Sequence, residues 1–152
     1  MGMKALILSA VLSCLASVTA AQTALETWEA DRTHIFNATE IDPADFVWIG
    51  RPIVVFAQSP LDPQFVQQME LLAARPDALA ERDVVVIIDT DPAAKSALRM
   101  SLRPRAFMLA IIDKEGSTSI RIPAPWDVRE ISRNIDKTPL RQQEVRERRV
   151  AE

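Results

Sequence analysis

The chain has 152 residues, a formal net charge of −3 and one cysteine, Cys14, and this length is enough for one domain with its own core but not for two. The slightly acidic charge argues against nucleic acid or an anionic membrane as the main partner. Because Gly2, Gly50 and Gly116 are the only glycines, the glycine-rich turns that bind dinucleotides or nucleotide phosphates are excluded.

The N-terminal segment has the features of a secretory signal peptide. Lys4 supplies one positive charge, and the apolar run at 5–18 is too short to span a bilayer. Small residues after this run predict cleavage after Ala20 or Ala21, so residues 1–21 form the predicted signal peptide. The mature protein is therefore expected to be periplasmic or secreted.

An alternative reading of the same segment is a lipoprotein signal. Val11-Leu12-Ser13-Cys14 loosely resembles a lipoprotein cleavage box, and Cys14 would then anchor an envelope lipoprotein through its acyl chains. With cleavage near residue 20 the mature chain has no cysteine, so thiol-disulfide chemistry is excluded. No later apolar run approaches membrane length, so no transmembrane segment is expected after cleavage.

Residues 22–40 are predicted to form a mobile or loosely packed N-terminal arm, because they are mostly polar and lack a clear period. The predicted domain covers residues 41–150. Aspartate–proline pairs mark helix starts in it, with the aspartate as N-cap and the proline at the first helical position. These pairs begin at Asp42, Asp62 and Asp91, and a short extra turn is expected at 76–82.

Continuous apolar runs in the same domain predict buried strands at 53–57, 84–88 and 106–112. A tight turn at 113–116 leads to an alternating strand at 119–122, which should pair antiparallel with the strand before it. Two helices follow, at 127–137 and from Thr138 towards Val150. The order β-α-β-α-β-β-α predicts an α/β protein, a single thioredoxin-like domain with a central mixed sheet flanked by helices.

Four segments carry a family resemblance, at 48–56, 81–86, 113–116 and 135–144, and the last, with Pro139 between Asp136 and Arg141, is the most specific. These segments resemble a bacterial thioredoxin-like family known as DUF4174. The resemblance extends over roughly residues 44–146. It implies a thioredoxin-like fold, but the family has no assigned activity and so implies no function.

The loop 58–62 stands where a redox-active thioredoxin fold has its cysteines, at the start of a helix. Ser59 is the candidate nucleophile there, but it has no nearby base in sequence, and Asp62 is more simply an N-cap. Pro104 precedes the third strand, where such folds commonly hold a cis-proline, and we hypothesise that Arg103–Pro104 is cis. Ser59, Asp62 and Pro104 are therefore candidate binding residues, and no catalytic residue is predicted.

Metal and cofactor sites are not predicted. Asp89 and Asp91 end a parallel strand and could hold a divalent cation, but strand end and helix cap are the simpler roles. His34 is the only histidine, so a catalytic relay or a zinc site would depend on it alone.

The C-terminal helix from Arg141 to Arg149 is rich in arginine, and Arg141 is a fourth candidate binding residue. This helix could dock an acidic partner, but a solvated helix with Glu144 paired to Arg148 is favoured. Trp28 and Trp126 could anchor a partner, although tryptophans in small domains more often pack in their own core.

The leading functional hypothesis is a non-redox binding or accessory module for an envelope protein or a small ligand, without a cofactor. The alternatives are a non-thiol enzyme that uses the Ser59–Asp62 loop and the envelope lipoprotein anchored through Cys14.

Overall fold

The computed structural model describes residues 22–152, so the predicted signal peptide, its cleavage site and Cys14 lie outside the described residues. Five strands form one sheet in the order β1-β3-β2-β4-β5. The strands are β1 (Ile35–Asn37), β2 (Arg51–Phe56), β3 (Val84–Asp89), β4 (Met108–Ile112) and β5 (Thr118–Ile122). The helices are α1 (Ala24–Ala30), α2 (Pro63–Ala73), α3 (Pro76–Ala80), α4 (Ala97–Leu102), α5 (Val128–Asp136) and α6 (Pro139–Ala151), with short 3-10 helices at Pro43–Phe46 and Pro92–Ala94.

The sheet is mixed, as predicted. Strands β1 and β2 both pair parallel with β3, whereas β4 is antiparallel to β2, and β5 is antiparallel to β4. The expected parallel unit and the expected hairpin are therefore confirmed. All six residues of β2 are buried, as a strand covered on both faces requires.

Helices cover both faces of the sheet, so there is one hydrophobic core on each face. Alternate residues of β2 point into one core or the other. Ile53 and Val55 face a core shared with α2, α3 and α5. Val54 and Phe56 face the other core, which α1 and α4 cover. The fold therefore has three layers, with the sheet in the middle.

The prediction of a mobile or loosely packed arm is wrong, because residues 22–40 are part of the folded domain. Thr23 and Glu26 form a capping box at the start of α1. Trp28 has no exposed surface, and its indole Nε1 donates a hydrogen bond to the Val84 oxygen at 3.2 Å. Ile35 of β1 pairs with Val86 of β3. Trp28 and β1 hold this segment to the sheet. Both do so through tertiary contacts, which a search for local periodicity does not detect.

The expected helix from Asp91 to Leu102 is interrupted. Asp91 caps only the 3-10 helix Pro92–Ala94, because Lys95 takes a left-handed conformation with φ of 48°. Ser96 then caps α4 by accepting a hydrogen bond from the Arg99 backbone N–H. The other two aspartate–proline predictions are confirmed, since Asp42 and Asp62 both cap the helices that follow them.

Within residues 22–152, no helix has both the length and the hydrophobicity needed to cross a membrane.

Candidate functional site

Three segments meet at the carboxyl ends of β2 and β3, which is where open α/β sheets place their ligands. They are the loop 57–62 after β2, the segment 103–107 before β4, and residues 121–123 at the end of β5. Pairing of Phe56 with Met108 brings the first two together, and Gln58 Nε2 donates to the Arg105 oxygen at 3.4 Å. Pairing of Leu109 with Ile122 adds the third.

A pocket of about 300 Å³ lies between the second and third segments, and we call it the carboxyl-end pocket. Arg103, Arg105 and Arg121 line it, and none of its lining residues is acidic. Each of these arginines is exposed. Within residues 22–152 none forms an ion pair; Arg121 Nη1 does reach the Leu102 oxygen at 3.4 Å. The rest of the wall is apolar and includes Phe107.

A buried ion pair fixes the carboxyl ends of β2 and β3. Asp89 ends β3 and is only 3% exposed, and Arg99 of α4 is 8% exposed. Arg99 Nη2 donates to Asp89 Oδ1 at 2.7 Å and to the Ala57 oxygen at 2.8 Å, while the Ser96 hydroxyl donates to Asp89 Oδ2. Arg99 therefore ties the last residue of β3 to the first residue after β2 and sets the position of the loop 57–62.

Ser59 and Asp62 both lie in that loop, and their side chains satisfy local backbone groups. Ser59 Oγ accepts a hydrogen bond from the Leu61 N–H at 3.1 Å, and Asp62 Oδ1 accepts one from the Gln64 N–H at 2.9 Å. His34 precedes β1 and so lies at the amino end of the parallel strands, opposite Ser59. The structure does not bring a serine–histidine–aspartate arrangement together.

Pro104 lines the carboxyl-end pocket, but the predicted cis peptide before it is wrong. No cis peptide bond occurs within residues 22–152, so Arg103–Pro104 is trans. Arg103 reverses the chain instead: it is left-handed, with φ of 50°, and its N–H caps the end of α4 by donating to the Arg99 oxygen.

Arg141 lies away from this pocket, beside residues that precede the parallel strands. The solvated position expected for it is wrong, because its side chain is only 2% exposed. It contacts Glu81 at 3.2 Å, Asp136 at 3.5 Å and Glu144 at 3.4 Å. Arg141 thus fastens α6 to α3 and α5.

Glu144 holds α6 to the sheet. It pairs with Arg51, the fully buried first residue of β2, at 2.9 Å, and with Lys114 of the hairpin turn at 2.9 Å. Burial by itself raises the pKa of Glu144, but the hydrogen bonds and charges of Arg51 and Lys114 outweigh that effect and hold its pKa below the usual range. This pairing stands in place of the Glu144–Arg148 pair expected from helical spacing.

The remaining candidate residues have structural roles. Asp89 pairs with Arg99, and Asp91 caps a helix. Trp28 lies in the core covered by α1 and α4, and Trp126 is partly buried against the core on the other face of the sheet. No group of three or more histidine, cysteine, aspartate or glutamate side chains within residues 22–152 is arranged to hold a metal ion.

The pocket arginines were missed at the sequence level. The basic–proline–basic run Arg103-Pro104-Arg105 before a buried strand is a visible signal, because charged side chains at a strand's start must face solvent or a ligand. Arg121 is one of the exposed residues of an alternating strand, and alternation alone gives no reason to join it to residues 103–105.

The mixed sheet, the two helical layers and the pocket at the strand ends define a thioredoxin-like α/β domain. A reduced 2-Cys peroxiredoxin from Plasmodium vivax is similar at 14% identity and a TM-score of 0.52, covering 63% of this chain and 81% of that chain. The mitochondrial 2-Cys peroxiredoxin from Plasmodium falciparum (17% identity, TM-score 0.46, 66% and 84% covered) and a thioredoxin family thiol:disulfide interchange protein from Chlorobium tepidum TLS (14%, 0.46, 63% and 83%) were also found. Likeness at such low identity concerns the fold alone.

The chain belongs to the family described as domain of unknown function DUF4174, which matches residues 42–144. This confirms the family expected from the sequence. No curated protein matches the chain.

Proposed function

We propose that this protein is an exported, non-redox binding module whose ligand is a small organic carboxylate with an apolar body, held in the carboxyl-end pocket. The observation that carries the proposal is the set of three arginines, Arg103, Arg105 and Arg121, around an apolar wall with no acidic residue. A guanidinium fork binds a carboxylate through two parallel hydrogen bonds. A protein partner would present the same chemistry through an acidic side chain next to an apolar one.

The composition of the loop after β2 supports a non-redox role. The only cysteine of the chain is Cys14, in the predicted signal peptide, and the loop carries Ser59 instead. A serine hydroxyl has a far higher pKa than a thiol and cannot take part in disulfide exchange. We therefore expect residues 22–152 to show no reduction of insulin disulfides.

Binding is better supported than catalysis by the Ser59–Asp62 loop. Both side-chain oxygens accept backbone hydrogen bonds that shape the loop and start α2. A serine nucleophile needs an adjacent base, and no histidine is close to Ser59. The apolar wall and free arginines, in contrast, have the composition of a ligand pocket.

The test is calorimetric titration of residues 22–152 with a series of carboxylates of increasing chain length, from acetate to octanoate. Affinity should rise with chain length, because each buried methylene contributes about 0.8 kcal/mol. Arg105→Gln/Arg121→Gln should weaken binding by at least about tenfold.

The matched control is Arg129→Gln/Arg133→Gln, which removes the same charge from exposed positions on α5. Equal weakening by both double variants, or no binding by any member of the series, would refute the proposed ligand class.

Export is tested separately with the full chain carrying a C-terminal tag, by fractionation of a bacterial host. The mature chain should appear in the periplasm or the medium. Cys14→Ala should leave that distribution unchanged. If the unsubstituted protein is found in the membrane fraction and Cys14→Ala releases it, the lipoprotein alternative is established.

A further inference from the structure

A second basic groove lies between α3 and α5, and we call it the α3–α5 groove. It encloses about 450 Å³. Val128, Ile131 and Ile135 turn one side of α5 into the core, so Arg129 and Arg133 share the opposite side, one helical turn apart. Arg75, just before α3, also lines the groove.

The groove lies away from the carboxyl-end pocket. Its central ion pair joins Arg82 to Asp136, with Nη2–Oδ2 and Nε–Oδ1 distances of 2.8 and 2.9 Å. Arg82 lies two residues before the start of β3, and Asp136 is the last residue of α5. The groove is thus at the amino end of β3, and a ligand there is independent of the proposed carboxylate.

The acidic side chains of the groove are already paired, whereas most of its cations are not. Asp136 pairs with Arg82, and Glu81 pairs with Arg141 at 3.2 Å. The remaining cations are Arg75, Arg129, Arg133 and Lys137, all of which are exposed. None of these four forms an ion pair or donates a side-chain hydrogen bond within residues 22–152. A chain of net charge −3 therefore has a concave surface of opposite sign.

A hydroxyl without a partner adds to this surface. Ser132 lines the groove between Arg129 and Arg133, and its Oγ has no hydrogen-bond partner among the described residues. A serine within a helix ordinarily bonds a backbone oxygen one turn earlier or points to water. Here its hydroxyl has no partner within residues 22–152.

Charge density identifies the ligand class. Four unpaired cations around one small groove repel each other, and a ligand that offsets them must carry several negative charges in a compact volume. Phosphate groups do so, and guanidinium forks bind their oxygens bidentately. We propose that the α3–α5 groove binds a compact ligand with two or more phosphate groups, either a soluble phosphate ester or the phosphate headgroups of a lipid.

The experiment is calorimetric titration of residues 22–152 with sodium tripolyphosphate at low ionic strength. Arg129→Gln/Arg133→Gln should weaken binding by more than about tenfold, as loss of two charge-assisted contacts requires. Arg105→Gln/Arg121→Gln removes the same charge at the other pocket and should change the affinity by less than about twofold, which separates a specific site from an effect of net charge.

A sedimentation assay distinguishes the two sources of phosphate. Vesicles of phosphatidylcholine are compared with vesicles that also contain phosphatidylglycerol. Binding to the anionic vesicles alone, lost in Arg129→Gln/Arg133→Gln, assigns the groove to a lipid headgroup, and binding of tripolyphosphate alone assigns it to a soluble ligand.

The proposal is overturned if neither tripolyphosphate nor the anionic vesicles bind, or if both double variants weaken binding equally. If Arg129→Gln/Arg133→Gln does not fold, as judged by circular dichroism, Arg75→Gln/Lys137→Gln gives the same comparison. If the groove variant that is used still binds the carboxylate series, the proposal for the α3–α5 groove and the proposal for the carboxyl-end pocket are tested independently.

Discussion

Substitution of Asp89 by alanine should be among the most destabilising single changes in this domain. Asp89 and Arg99 pair at 2.7 Å with side chains only 3% and 9% exposed. Without the carboxylate, the Arg99 guanidinium stays in the interior as an uncompensated buried charge, which typically costs about 3–5 kcal/mol. Since domains are stable by about 5–15 kcal/mol in total, much of the native stability should be lost.

The assay is urea unfolding of residues 22–152, with Asp89→Ala, Arg99→Met and the double variant compared in one cycle. The double variant removes both charges, so it should be more stable than the sum of the single losses predicts, by about 2 kcal/mol or more. Arg99→Met also leaves the Ala57 oxygen without its donor. A loss below about 1 kcal/mol for Asp89→Ala, or strict additivity in the cycle, refutes the argument that this pair is desolvated and coupled.

Three further changes test the packing and the ion pairs by thermal or urea unfolding. Trp28→Ala should cost about 3–5 kcal/mol, since this side chain is fully buried, and a loss below about 1 kcal/mol would mean that the N-terminal segment is not part of the cooperative fold. Gly50→Ala should cost about 1–3 kcal/mol, because a Cβ there would lie 2.8 Å from Val85 Cγ2; unchanged stability would contradict this close approach. The pKa of Glu144 is lowered in the fold, so its contribution is present above the unfolded value of about 4.3 and is lost as pH falls through the folded pKa. Glu144→Gln should therefore lower the Tm at pH 7 but have little effect near pH 3, and an equal loss at both pH values would assign the effect to shape instead of charge.

The strands and most helix starts were predictable because their causes are local. A run such as 53–57 is apolar on both faces whatever surrounds it, and Asp62-Pro63 starts a helix through its own cap and ring. The helix expected from Asp91 failed for a tertiary reason. Ser96 donates to the buried Asp89, and the left-handed Lys95 brings it there, so a contact across the strand end overrides helical continuity.

The N-terminal segment was misjudged although one signal for it was present. Thr23-Ala24-Leu25-Glu26 has the spacing of a capping box, and the structure contains both of its hydrogen bonds. The strand β1 and the burial of Trp28 could not be predicted from the local sequence. β1 has three residues and is a strand only because β3 offers it an edge, and Trp28 is buried only because the second face of the sheet needs a cover.

Buried and exposed arginines differ in their pairing, and this difference is the strongest argument for the proposed binding role of the carboxyl-end pocket. At the amino end, the buried Arg51 and Arg141 are each matched to a carboxylate, as the cost of an unpaired buried charge demands. Arg103, Arg105 and Arg121 are unpaired, at no such cost because they are exposed, and they converge on one apolar pocket. Stability does not explain this convergence, since isolated surface charges contribute little to folding. A ligand that brings its own negative charge does explain it. Arg121 could not have been joined to Arg103 and Arg105 before the hairpin and the end of α4 were placed side by side.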